Sequence, residues 1–478
     1  HQYTDDAKVT NCQFINCTSA EGGALYFLDG DKEGDEETVI QNCTFDGCVG
    51  STGSAIFCRS FTFELSHSTF CNSKLVGKTT ETSDVESYIY CKFDEADVTP
   101  VISNCTFYNN EQIIEFYSLD KNGHSTKNSI TFIQCNFSKN NIASNGGDCV
   151  INLEYIQSQI VNFEECTFEE NEGQCFAQGS EVICNTLLKG CVIYVDSVRE
   201  NNQPYITVQD CTFTNNKAEY SWQPRGIINA DALAIKFAGV NQFINNEVHQ
   251  VNEDPENKDD NSYGGSLFLI QSTVSEFTIS NLVFIDSRAA YGGAISIFAK
   301  DFDEDSDSNQ KSIFITVENC TFTNCSAAKQ GGALKCGSKA LHGGNYDNDI
   351  KISNCLFTNC KSLEGGALYF MDGDAVGDEE TVIQYCTFDG CESPIGSAIF
   401  CRSYTFTMSH SIFLNSKPSD QKTELSETQS FLYVNLDEGG VAPVVTNCTF
   451  YNNEQNIEFY SHGPDAEDGK VSSITFLQ

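Results

Sequence analysis

A phenylalanine holds the same place in the same short pattern fourteen times along this chain, at Phe14, Phe45, Phe70, Phe107, Phe137, Phe168, Phe213, Phe243, Phe284, Phe322, Phe357, Phe388, Phe413 and Phe450. The fullest copy reads ITVENCTFTNC, from Ile315 to Cys325, and is followed by GGAL, from Gly331 to Leu334. A residue type kept at one place in every unit implies one environment recurring in every unit, so each unit is one turn of something that repeats in space. The 478 residues therefore read as a single continuous body, 1–478, and not as the two or three domains that length alone suggests.

A longer period lies above the short one. The segment NCTFYNNEQIIEFYS, Asn104 to Ser118, returns at Asn447 to Ser461 with Asn456 standing where Ile113 does, and EGGALYF at Glu21 returns at Glu364. Both are displaced by 343 residues, which divides the chain into a super-repeat, 1–343, and a partial second copy, 344–478. Ten Phe-centred units fit that interval, about 34 residues each. The chain opens on His1 and stops in mid-unit at Gln478, so the expectation is a window cut from a longer tandem protein.

Within a unit the pattern is strand, corner, strand, corner, strand. Ile315 and Val317 alternate with Thr316 and Glu318, and after Asn319 the parity shifts so that Cys320 and Phe322 point the same way. Pairs such as Asn109-Asn110, Asn215-Asn216 and Asn245-Asn246 follow, as suits a corner where the backbone turns left-handed. A Gly pair then opens a third apolar run, as in GGAISIF from Gly292. No helical period is sustained. Strands too short to bury a face alone, each with one inward Phe, predict an all-β parallel β-helix, a solenoid of about fourteen coils, against a β-propeller as competitor. The excess length goes into long acidic loops, Asp29 to Glu37, Asn252 to Asn261 and Asp301 to Asp307.

The pairing of GGAL, GGAI and GSAI with F-x-x-N tetrapeptides at Phe107, Phe137, Phe168, Phe213 and Phe243 resembles the polymorphic outer membrane protein repeats of chlamydiae, and similar repeats occur in surface proteins of some protists. The resemblance covers nearly the whole chain and implies a right-handed parallel β-helix with a surface or adhesive role. The chain departs from that pattern in carrying Cys or Ser at the fourth position, as at Cys17, Cys48, Ser73 and Cys325. It also has no autotransporter barrel, so the bacterial secretion route is not supported.

Net charge is −40, which argues against nucleic acid and against anionic lipid as partners. No apolar stretch approaches bilayer length. Cysteine, 24 residues, is plentiful for a large cytosolic protein and points to a secreted one. Ten form a column two residues before the Phe: Cys12, Cys43, Cys105, Cys135, Cys166, Cys211, Cys320, Cys355, Cys386 and Cys448. They read either as buried thiols packing like small hydrophobes or as axial bridges, since stacked Cα atoms about 4.8 Å apart fall in the disulfide window. Matching runs predict that Cys149 bridges Cys191 and that Cys58 bridges Cys91, with Cys175 and Cys184 closing a loop. Sequons at Asn16, Asn42, Asn104, Asn136, Asn319, Asn324 and Asn447 add to an extracellular or cell-surface reading as an N-glycoprotein.

Catalytic residues are scarce. A β-helical polysaccharide lyase or hydrolase would need paired carboxylates near a cation on one face. The cationic motifs kept between copies are CRS, with Arg59 and Arg402, and SHS, with His67 and His410. No organic cofactor is called for, and no tetrahedral zinc set is visible. The acidic loops repeat Asp29, Asp31 and Asp35 as Asp372, Asp374 and Asp378, hard oxygen ligands suited to calcium, although the spacing is not an EF-hand. The expectation is a non-enzymatic structural protein, part of an extracellular fibre, stalk or filament that self-associates end to end. The alternatives are an adhesin for a host protein or glycan and a carbohydrate-active enzyme.

Overall fold

The computed structural model describes residues 7–28, 37–59, 62–74, 87–93, 99–118, 129–142, 151–152, 160–175, 193–195, 206–220, 226–232, 235–250, 261–271, 276–299, 311–337, 346–371, 380–403, 405–419, 429–436, 443–461 and 475–477. These contain strands and no helix. Neighbouring strands run parallel, which removes the propeller alternative. The chain forms two compact units, His1–Trp222 with Ile227–Asn241 (unit 1), and Gln223–Gly226 with Gln242–Gln478 (unit 2).

In unit 1 seven Phe strands, Gln13–Ile15 through Thr212–Thr214, stack into one sheet. A second sheet runs from Ala7–Thr10 to Ile235–Ala238, and a third joins Leu25–Leu28, Ile56–Arg59, Ser87–Phe93, Ile113–Ser118 and Ile151–Asn152. Unit 2 repeats this plan with seven strands in each of three sheets. The Phe sheet ends at Thr449–Tyr451, the preceding sheet runs from Phe277–Ser280 to Thr475–Leu477, and the sheet after the Gly pair runs from Leu267–Gln271 to Asn456–Ser461.

Register is like on like. Phe14 pairs with Phe45, Phe45 with Phe70, and Phe70 with Phe107; in unit 2 Phe284 pairs with Phe322 and Phe322 with Phe357. Within each unit successive rings lie 4.6 to 5.4 Å apart between centroids. Twelve of the fourteen are at most 1 % exposed, while Phe14 and Phe450 are half-buried. Parallel in-register stacking brings identical rings face to face, an offset-stacked geometry that adds to their burial.

Two left-handed corners frame each Phe strand. The residue two after the Phe has positive φ in all fourteen copies, from Asn16 at 52° to Asn452 at 55°, with Gly47 and Gly390 taking the place twice. The residue three before it is also left-handed, as at Asn42, Asn104, Asn319 and Asn447, except that Gly239 turns the chain one residue earlier for Phe243. Asn is enriched because it tolerates this region at low cost. The parity shift after Asn319 is the second of these corners.

The Gly pair does two different jobs. The first glycine is left-handed, as at Gly331 with φ 64°, whereas the second lies against the next coil. A Cβ on Gly332 would overlap the carbonyl oxygen of Gly366 and sit 2.6 Å from that of Lys361.

The fourth position of F-x-x-N is a buried hydrogen-bonding ladder. Asn140 Nδ2 donates to the carbonyl of Phe107 one coil back at 3.0 Å and to Asn171 Oδ1 at 3.0 Å, and Asn171 repeats this with Phe137 and Asn216. Where the chain has Cys, the thiol points at the same acceptor: Cys48 to Phe14, Cys325 to Phe284, Cys360 to Phe322 and Cys391 to Phe357, at 3.7 to 3.9 Å. The departure from F-x-x-N thus keeps the donor and weakens it. Asn140→Ala should cost about 1–3 kcal/mol, because the Phe107 carbonyl and the Asn110 N–H both lose a buried partner. Asn140→Cys should cost less, and equilibrium denaturation of the pair would check the order.

Candidate functional site

The cysteine column two before the Phe is a ladder of thiols. Each sulfur reaches the carbonyl two residues back, and all but Cys12 and Cys448 also reach one on the coil beneath, as Cys135 does to Ile133 at 3.5 Å and to Ile102 at 3.4 Å. The twenty cysteines whose side chains are described form no disulfide, and most of them are buried. The hydrogen bond between Cys105 and Cys135, with burial, pushes the Cys135 thiol up to about 12, and burial, helped by Cys17 and Asp46 nearby, pushes Cys48 up to about 11. Ser68, Asn241, Leu282 and Ser411 fill the column where Cys is missing; Ser68 Oγ donates to the Ser66 carbonyl at 2.9 Å and accepts the Cys43 N–H at 3.1 Å.

Cys58 and Cys91 stand opposite one another in register, as the matched runs predict, and both are free and fully buried. Parallel strands keep neighbouring Cβ atoms near the strand spacing of about 4.8 Å, wider than the roughly 3.5–4.5 Å of a relaxed disulfide, so stacking alone does not make a bridge. In the second copy Cys401 faces Val434, and its thiol turns to Thr381 Oγ1. Cys149, Cys184 and Cys191 lie outside the described residues, as does the side chain of Cys175. So do the calcium candidates Asp29, Asp31, Asp35, Asp372, Asp374 and Asp378; the described residues hold no cluster of metal-ligating side chains.

Six sequon asparagines, Asn16, Asn42, Asn104, Asn319, Asn324 and Asn447, are exposed at left-handed corners. Asn136 differs: it is half-buried within its strand, and its amide oxygen is shielded from solvent. Arg402 lies in a strand of the sheet after the Gly pair, and His410 at the corner before a Phe strand. Arg402 pairs with Met371 and Asn435, whereas His410 turns a corner, stacks on Tyr385 at 4.8 Å and meets the Asn447 amide at 3.2 Å.

A polar groove of about 760 Å³ follows the corner after the Phe strand in unit 2. One wall is the left-handed row Asp286, Asn324, Asn359, Gly390 and Asn415; the other is Arg288, Ser326, Lys361, Glu392 and Lys417. The second row stacks in parallel register, Arg288 on Ser326, then Lys361, Glu392 and Lys417. Side chains of both walls are tied along the stack: Asn359 Nδ2 donates to Asn324 Oδ1 at 3.3 Å, Asn415 Nδ2 to Asp389 Oδ1 at 2.8 Å, and Lys361 pairs with Glu392 at 2.7 Å. Three cations meet three carboxylates here, Asp286, Asp389 and Glu392, so the groove is locally neutral on a strongly acidic chain. Sequence reasoning missed it, because the Asn of the first wall reads as a corner residue and the second wall mixes Arg, Ser, Lys and Glu. The one available signal was the recurrence of polar residues two and four places after the Phe.

Among the described residues no helix is long and apolar enough to cross a membrane. None of the curated proteins compared with the chain matches it. Residues 268–468 match the family model described as a right handed beta helix region. With all-parallel sheets stacked in register, the fold is a right-handed parallel β-helix, and the chain is a β-helix repeat protein.

Proposed function

We propose that this protein is a non-enzymatic structural element of an extracellular or cell-surface fibre, stalk or filament, in which β-helical coil arrays follow one another end to end. The observation that carries the reading is the unbroken like-on-like stacking within each unit, Phe on Phe with an Asn or thiol ladder beside it. Such a body resists unzipping because each coil's backbone groups and buried amides are satisfied by the coils above and below. The resemblance to polymorphic outer membrane protein repeats supports a surface location, and the exposed sequons suit N-glycosylation there. Calcium on the acidic loops and covalent coil-to-coil links, such as one between Cys58 and Cys91, would be additions to this mechanism and not its basis.

Electron microscopy of the native material tests it. A filament with an axial period near the length of ten coils, about 48 Å, is expected. Isolated particles at all concentrations would overturn it, as would depolymerisation of a polysaccharide by the purified chain.

The groove favours a second reading, an adhesin. The exposed amides of Asn324 and Asn359, the Ser326 hydroxyl and paired charges suit a hydroxyl-rich ligand such as a glycan. Retention of the protein on a glycan array, lost in the Asn359→Ala variant, would favour adhesion over scaffolding.

A further inference from the structure

The sheet that follows the Gly pair in unit 2 carries an outward column in register: Phe268, Ser296, Lys335, Tyr369, Phe400, Tyr433 and Glu458. Above Lys335 the column is an aromatic stack, with Tyr369 and Phe400 at 4.9 Å and Phe400 and Tyr433 at 4.7 Å. Lys335 stands where a ring would, and it is only 5 % exposed. Its Nζ lies 4.5 Å from the ring centre of Phe298, 5.5 Å from Tyr291, and 6.0 Å from both Tyr263 and Tyr369. The cage is itself packed: Tyr263 stacks on Tyr291 at 4.8 Å and meets Phe298 edge-on at 5.2 Å.

One hydrogen bond, to the carbonyl of Gly337 at 2.9 Å, serves this amine among the described residues. No described carboxylate pairs with it. An ammonium buried with a single acceptor loses hydration that ring faces only partly replace. The ionisable groups around it are Cys336, the adjacent residue, and the phenols of Tyr263, Tyr291 and Tyr369. Farther out, Lys329 lies 5.1 Å over the Tyr291 ring and donates to Asn261, Glu364 accepts from Gln330, and Arg402 acts on Tyr369. Of these only the Cys336 thiol acts on the amine, against the larger effect of burial, and burial raises that thiol, the Tyr369 phenol and the Glu364 carboxyl, which keeps them protonated more readily.

We propose that Lys335 is a proton-operated latch on the outer aromatic layer of unit 2: the neutral amine lets Tyr263, Tyr291, Phe298 and Tyr369 close over the sheet, and protonation loosens them. Burial brings the amine down from 10.5 to about 8, which places the latch within reach of ordinary pH. The sign follows from linkage. A cation whose pKa is lower closed than open penalises the closed state fully below the closed value, and the penalty fades as pH rises from about 8 toward 10.5. This inference is independent of whether the protein forms fibres.

Hydrogen exchange, corrected for intrinsic rates, tests it on the whole chain at pH 6.5 and 9.5. Amides of Ile295–Ala299 and of Leu334–Cys336 should gain about 30-fold in protection between the two pH values in the native protein. In Lys335→Met they should be strongly protected at both, since the apolar chain fills the cage without a charge. Equal pH dependence in the two proteins, or weaker protection of the variant at pH 6.5, would overturn the proposal. NMR titration of the Lys335 Cε signal, assigned by its loss in Lys335→Met, gives a second reading. A midpoint near 8 is expected, and one at or above 10 would rule the latch out.

Discussion

Phe322→Ala is expected to destabilise the protein by about 3 to 5 kcal/mol. The ring is fully buried, lies 5.0 Å from Phe284 and 4.9 Å from Phe357, and is held in register by strands on both sides. Its removal leaves a cavity that the neighbours cannot fill, because each is already committed to the stack above or below it. The same change at Phe14, which is half-buried, should cost clearly less. Denaturant titration of both variants checks this. A cost at Phe322 under about 1 kcal/mol would mean that the column is not a continuous packed core.

Gly332→Ala is expected to do comparable damage by the opposite route. The added methyl would overlap the Gly366 carbonyl oxygen and lie 2.6 Å and 2.7 Å from the carbonyl and amide of Lys361, all of them backbone atoms that cannot swing aside. The coils would have to part at that edge, breaking hydrogen bonds such as Gly332 N–H to Gly365 C=O, so a loss above about 3 kcal/mol is expected. Gly390 supplies the contrast. It is glycine for its φ of 65°, and its crowding comes from the movable Asn359 side chain, so Gly390→Asn should cost under about 1 kcal/mol. Thermal melts of the two variants would separate the effects; similar losses would show that close approach is not what the second glycine serves.

The Phe column, the corners and the parallel sheets were legible because each asks for one property that few residues have. Only a large flat ring fills the interior slot, and Asn or Gly takes a left-handed corner most cheaply. The fourth position of F-x-x-N was harder to read, since Asn140, Cys360 and Ser287 share only a donor and a small volume. Asn136 shows the limit of parity: its place in the strand points outward, yet its amide oxygen is buried. The groove and the Lys335 cage were not legible at all. Asp286 and Gly390 occupy one wall position, and Phe268, Ser296 and Tyr369 share the column of Lys335, so what makes each site is which coils lie beside it.

Between the two corners the chain length hardly varies, because a slip of one residue would turn the Phe outward. Elsewhere it varies freely: Phe45 and Phe70 are 25 residues apart, Phe168 and Phe213 are 45 apart, and both pairs stack in register. The corners therefore act as reading-frame markers for folding. They let insertions of almost any length accumulate outside the frame without shifting the coils that follow. A lineage carrying this repeat can rewrite what its surface displays while the scaffold stays constant, and an engineer could graft peptides at those same points with the register still kept by a handful of asparagines.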